Sequence, residues 1–258
     1  WLKPFWLKPC RAADSDQLLP TLVAGLSFLQ SQVVVMQCLG LGFRRRTEKP
    51  QLMLLGLDHA GKTTLLYKLK LGNAWENLKN DLAEMRKVRE DGTTEDPGYH
   101  YEELTRRFKH GVWDVPGTEA MRRMWRAFYH AIRIHCIIFV VNMSDTDDAR
   151  IELAKQHLHT LMNEDELRSA CFCVIFNQSA HRARGKKASA MGEATNMGEE
   201  ELHYRLGLQN LHPSIEWRCR RFTLNIMEVR GEKDRQWYPV LTFIKETLQD
   251  SRGFGLKL

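Results

Sequence analysis

Apolar residues in this chain fall into short continuous runs, and between them lie stretches where they recur every three or four positions. Leu52-Met53-Leu54-Leu55 is a run of the first kind and predicts a buried strand. Thr64-Leu65-Leu66-Tyr67-Lys68-Leu69-Lys70-Leu71 carries its leucines at helical spacing, and Gly72 marks a stop. Val112-Trp113-Asp114 closes another predicted strand, and Ile137–Val141 and Cys171–Phe176 give two more. Alternating strand and helix patterns from Leu52 to Leu248 predict an α/β fold, a mostly parallel central sheet with helices on both faces. Within the charged run 73–92, Trp75, Leu78, Leu82, Met85 and Val88 sit at helical spacing. That run reads as an inserted amphipathic helix packed on the domain surface, with a partner-binding helix as the other reading.

Composition sets limits on this picture. At 258 residues and 43% apolar, the chain can bury a full core. A formal net charge of +6 is mild, and the basic clusters Arg44–Arg46, Arg182–Lys187 and Arg218–Arg221 read as solvated faces. No nucleic-acid module accompanies them, so nucleic acid is not expected as a partner; an anionic membrane surface or an acidic protein is. The six cysteines, at 10, 38, 136, 171, 173 and 219, form no Cys-x-x-Cys pair. Four lie in or near predicted strands, which suggests buried thiols in a reducing compartment and neither a disulfide framework nor a zinc site. His157 and His159 are expected at the surface of a helix.

Residues 1–43 stand apart. Trp-Leu-Lys-Pro occurs twice, at 1–4 and 6–9, which reads as low complexity or a gene-model artefact, and residues 18–43 carry no charge before Arg44-Arg45-Arg46. The length suits a membrane anchor and the arginines suit its cytoplasmic side, whereas Pro20, Gln30, Gln32 and Gln37 argue against a spanning helix. Starting from Met36, the segment to Phe43 would be a short hydrophobic N-terminus without the Gly that N-myristoylation requires.

The chemistry begins at Gly56-Leu57-Asp58-His59-Ala60-Gly61-Lys62-Thr63, placed between the first strand and the first helix. This is the pattern of a phosphate-binding loop. Backbone N–H groups of a Gly-rich turn closing on a helix N-terminus form a concave donor surface for phosphate oxygens. Gly56 and Gly61 allow the dihedrals and the close approach. Lys62 supplies positive charge, and the hydroxyl of Thr63 is placed to ligate Mg²⁺, with Thr64 following. Farther on, Asp114 at a strand end and Gly117 three residues later suit a second phosphate and Mg²⁺ contact.

With both motifs in view, the chain resembles the Arf and Arf-like small GTPases, over roughly residues 44–250 in broken blocks. Gly56–Thr64 is similar to that family's phosphate loop. Trp113-Asp114-Val115 with Met121–Arg126 is similar to its second switch, and Ile137–Val141 with Ser144-Asp145 to the next strand and its exit. Asn163–Leu167, Leu206-Gly207-Leu208 and Trp217 follow in the family's order. The resemblance implies a P-loop NTPase fold of the small-GTPase type, GTP and GDP as ligands, Mg²⁺ as cofactor, and effectors, exchange factors and GTPase-activating proteins as partners. A switch in membrane traffic is implied too, cytoplasmic and peripheral on Golgi or other endomembranes.

Several positions depart from the family pattern. Pro116-Gly117-Thr118 replaces Gly-Gly-Gln, so Thr118 occupies the place of the water-positioning Gln, and a Thr hydroxyl is too short for that task. Slow hydrolysis is expected. The family's base motif, Asn-Lys-x-Asp, becomes Asn177-Gln178-Ser179-Ala180, leaving Asn177 and Gln178 as candidate base contacts and no acceptor at Ala180 for the guanine donors. Thr223-Leu224-Asn225 is the expected base loop. Thr94 is the candidate first-switch ligand of Mg²⁺, although Asp96 falls in the aligned slot. A second insertion, 181–196, is a predicted loop beside the base pocket, and 251–258 a C-terminal tail. Two other readings stay open: a pseudo-GTPase scaffold without turnover, and a P-loop nucleotide binder of relaxed base specificity.

Overall fold

The computed structural model describes residues 49–77, 80, 98–178 and 197–253. The chain divides into two units, of which one comprises Lys49–Trp75 with Tyr99–Leu258. The other, Trp1–Glu48 with Glu76–Gly98, lies almost wholly outside the described residues, and with it the N-terminal segment, most of the 73–92 insertion and Thr94. Ala180 and the 181–196 insertion are outside as well.

In the larger unit the strands are β1 (Gln51–Leu55), β2 (His100–Leu104), β3 (His110–Asp114), β4 (Cys136–Asn142), β5 (Cys171–Asn177) and β6 (Cys219–Leu224). They form one sheet in the order β2-β3-β1-β4-β5-β6. Only the β2–β3 pair is antiparallel. The helices are α1 (Lys62–Leu71), α2 (Glu119–Arg122), α3 (Trp125–Ala131), α4 (Asp148–Met162), α5 (Glu199–Arg205), α6 (Pro213–Glu216) and α7 (Tyr238–Gly253). The predicted first helix begins two residues earlier than its leucine pattern suggested, at Lys62.

Both faces of the sheet are covered, which is why its central strands read as unbroken apolar runs. Successive residues of β1 illustrate the pleat. Met53 and Leu55 join Trp125, Phe128, Phe139 and Phe172 on one face, while Leu52 and Leu54 join Leu65, Leu69, Val140, Trp237 and Ile244 on the other. Cys136, Cys171 and Cys173 are buried in this second layer, and Cys219 is partly buried. Burial pushes the Cys136 and Cys173 thiols up, and that of Cys219 up to about 12, so these are packing groups at neutral pH.

Two surface expectations are overturned. His157 and His159 are half-buried: His157 packs edge-on against Trp125, and His159 Nε2 lies 2.8 Å from the Leu206 carbonyl oxygen. Arg218 is buried, its guanidinium donating to the Leu167, Ala170 and Met162 carbonyls at 3.1, 2.6 and 3.3 Å. Those carbonyls close the end of α4 and the turn after it, so the charge meets the negative end of a helix dipole.

Candidate functional site

β1 lies between β3 and β4, so the connections leaving β1 toward the two sides diverge and open a crevice at its C-terminal end. Loops from the ends of all five parallel strands gather along this edge. The β1–α1 loop is its centre. Gly56 enters it at φ 134° and Gly61 leaves it at φ 100°. A Cβ on Gly56 would lie 2.2 Å from the Val140 carbonyl oxygen, and one on Gly61 2.8 Å from Asn177 Nδ2. Neither position admits a side chain. Between them His59 holds φ 59°, the only non-glycine residue so placed among the described residues, with an exposed imidazole.

Lys62 is buried under this loop and donates to the carbonyls of Gly56 (2.9 Å) and Leu57 (2.7 Å). Its charge is thus held inside the cradle. Thr63 Oγ1 donates to Asp114 Oδ2 at 2.5 Å, joining the start of α1 to the end of β3. Asp114 is 2% exposed. Thr64 follows, half-buried, in the first turn of α1.

Past Asp114 the chain lies directly on the phosphate loop. A Cβ on Gly117 would stand 2.1 Å from Gly56 O, 2.4 Å from Leu57 C and 2.6 Å from Asp58 N, all backbone. Two side chains pin the segment there: Arg122 donates to Gly117 O at 2.7 Å and Trp125 Nε1 to Pro116 O at 3.0 Å. Thr118 precedes α2 in its N-cap position with no capping bond from its side chain.

On the other side, buried Asn177 ties the phosphate loop to the end of β6. Its Nδ2 donates to Ala60 O at 3.0 Å, and its Oδ1 accepts from Ile226 N at 3.5 Å. Gln178 has an exposed side chain, and its N–H donates to Leu224 O at 2.9 Å. The expected base loop is displaced. Thr223 and Leu224 are strand residues of β6, so the loop starts at Asn225, whose side chain accepts from Met227 N at 3.2 Å. β6 runs two residues past the strand end that the resemblance implied, and this shifts the loop.

One site residue was invisible in the sequence. Arg150, on α4, donates to Asp58 Oδ1 (3.1 Å), to Asp58 O (3.0 Å) and to Asp145 Oδ2 (2.5 Å). Burial pushes the Asp58 carboxyl up, and the hydrogen bond and charge of Arg150 outweigh it, so the group stays ionised below its usual range. Asp58 therefore serves the loop by anchoring it sideways. Nothing in the sequence pointed to a partner 92 residues away.

The ADP-ribosylation factor family model matches residues 41–231. This chain belongs to that family. ADP-ribosylation factor-like protein 1 of Caenorhabditis elegans is 29% identical over 203 residues, which cover 78% of this chain and 91% of that protein. Among solved structures, the Arl6 BBS3 small GTPase of Trypanosoma brucei, with the nucleotide analogue GppNp bound, matches with a TM-score of 0.54 and 21% identity over 79% of this chain and 99% of that one. The small-GTPase fold is thus shared. Within this fold the loop Gly56–Thr63, Asp114 and Gly117 lie together at one edge of the sheet.

Proposed function

We propose that this Arf-family chain is a nucleotide-dependent switch that binds GTP and GDP with Mg²⁺ and hydrolyses GTP slowly. The observation that carries this reading is the convergence of the Gly56–Gly61 cradle, buried Lys62, the Thr63–Asp114 pair and Gly117 on one edge. Thr63 and Asp114 offer two hard oxygen donors side by side. Mg²⁺ commonly takes one or two such protein ligands and completes its shell with phosphate and water. Bound there, the ion would neutralise phosphate charge, while Lys62 and the loop N–H groups orient the phosphates. Gly117, resting on the cradle, is the group whose position a terminal phosphate would sense. Effectors, exchange factors and GTPase-activating proteins would read that position, on the cytoplasmic face of Golgi or other endomembranes.

A scaffold without turnover is the second reading, and Thr118 favours it, because a hydroxyl on a short side chain cannot hold an attacking water as a Gln does. Relaxed base preference is favoured by Gln178, whose exposed side chain stands where the family has Lys.

Equilibrium binding of labelled GTP, GDP and ATP to the full chain, with and without Mg²⁺, tests the proposal. Mg²⁺-dependent binding of guanine nucleotides with ATP excluded supports the switch. Equal binding of ATP and GTP supports the general binder, and no binding leaves the scaffold.

A further inference from the structure

A buried carboxylate lies far from the phosphate edge. Glu232 is 3% exposed and sits in the loop between β6 and α7. Its Oε1 accepts from Thr105 N at 3.2 Å and its Oε2 from Arg106 N at 2.9 Å, the first two N–H groups of the β2–β3 turn. Both carboxylate oxygens are thus committed to backbone that would otherwise face water, since Thr105 and Arg106 are exposed. Gly231, at φ 121°, lets the chain turn so that the acid points inward.

The same loop braces a second element. A Cβ on Gly72, at the C-terminal end of α1, would stand 2.9 Å from Arg230 O, and one on Gly231 would stand 3.8 Å from Leu69 O. So Arg230–Glu232 bridges the rear ends of α1 and of the β2–β3 hairpin. The front ends of both carry the phosphate site: α1 begins at Lys62, and His100 of β2 pairs with Asp114 of β3. Between front and rear the two are laced together. Lys70 Nζ donates to Glu103 O at 2.8 Å and meets Glu102 Oε2 at 3.0 Å, while the Tyr67 hydroxyl lies 3.2 Å from His100 Nδ1.

We propose that Glu232 is a positioning residue: a latch at the rear of the molecule that fixes the β2–β3 hairpin against α1 and, through that lacing, sets the front edge where nucleotide is held. The loop from Val229 to Asp234 is then a place from which a bound partner would alter nucleotide retention without touching the phosphate site.

Amide hydrogen exchange on the full chain without added nucleotide, in wild type, Glu232→Ala and Glu232→Gln, tests the latch. Hydrogen bonds to a charged group are strong enough that their loss speeds exchange by about tenfold or more at Thr105 and Arg106 in Glu232→Ala. Gln keeps one acceptor and turns a donor toward the other amide, so Glu232→Gln frees at least one of the two. If Glu232→Ala does not fold, Glu232→Gln carries the test. Faster exchange must also reach His100–Glu103, and release of labelled GDP must quicken several-fold at a melting temperature close to wild type. Turn amides exchanging as in wild type overturn the latch. Quicker turn amides with β2 exchange and GDP release unchanged overturn its reach to the site. The release readout rests on the nucleotide-binding reading; the exchange readout does not, so a chain that binds no nucleotide still decides the latch.

Discussion

Gly117 is where a single methyl group asks most of this structure. An added Cβ would lie 2.1 Å from the Gly56 carbonyl oxygen, against the 3.4 Å at which ordinary contact begins, an overlap of 1.3 Å. The opposing atoms are backbone of the phosphate loop, itself fixed by Lys62 beneath and by Asn177 and Arg150 on its flanks, so the Pro116–Thr118 segment must lift. Lifting by that distance breaks the bonds from Arg122 to Gly117 O and from Trp125 to Pro116 O, now 2.7 and 3.0 Å. At about 0.5–1.5 kcal/mol net for each bond, with overpacking costs of similar size, Gly117→Ala should lose about 2 kcal/mol. For a domain of this size that is a fall in melting temperature of roughly 4–8 °C. Gly198→Ala, where an added Cβ meets nothing within 4 Å, is the control and should fall within about 0.5 kcal/mol of wild type. Calorimetry or a dye-monitored melt on both variants decides. Equal melting temperatures for Gly117→Ala and wild type would refute the contact of the Gly117 segment with the phosphate loop.

Other perturbations address the supports of the same fold. Arg218→Met keeps the stem but leaves the carbonyls of Leu167, Ala170 and Met162 without their cation, and should cost about 2–4 kcal/mol in urea unfolding; a loss under about 1 kcal/mol would contradict it. Asn177→Ala strands Ala60 O and Ile226 N in buried surroundings and should cost about 1–3 kcal/mol, read from denaturant midpoints. His110 is buried, and burial holds its imidazole below the ordinary value, against opposing pulls from the Phe108 carbonyl and Glu232. The unfolded chain takes up that proton near pH 6.5 and the folded chain resists it. Stability from this group is therefore complete above that pH and is lost as pH falls through the folded value, at no more than about 1.4 kcal/mol per pH unit. Melting temperatures from pH 7.5 to 5.5 should fall more steeply for wild type than for His110→Asn, and parallel slopes would remove His110 as a cause.

What the sequence disclosed and what it hid divide along the range of the interactions. The phosphate loop was legible because its demands are local: two glycines for two positive φ angles, a Lys and a Thr opening a helix, and an apolar strand before them. The sheet was legible because β4 and β5 are covered on both faces and so carry no polar interruptions. Contacts made across the chain left no trace of this kind. Arg150 reaches back to Asp58, Trp125 holds the Pro116 carbonyl, and Glu232 meets a turn more than a hundred residues earlier, each from a position that its own neighbours leave unremarkable. Arg218 misled for the same reason: in a run of basic residues its burial depends on where α4 ends, a fact of packing and not of pattern. The base loop slipped because the extent of β6 is set by its ladder with β5, through Asn177↔Leu224, and not by its own residues.

The two halves of the site are built by unlike means, and this bears on what the chain can discriminate. The phosphate loop is made almost entirely of backbone in fixed dihedrals, locked on its flanks by Asn177 to Ala60 O and Arg150 to Asp58 O, with the Lys62 ammonium held against Gly56 O inside the cradle. A cradle of that kind is preorganised, and its fit to phosphate oxygens does not depend on what lies beyond them. A base bound as proposed would meet the ends of β5 and β6, where Asn177 is turned inward to its bracing bonds and the side chain of Gln178 is exposed. Rejection of a wrong base requires buried polar groups that it would leave unpaired. Among the described residues the end of β5 offers no carboxylate for that purpose, which is why the proposed switch is tested with ATP beside GTP.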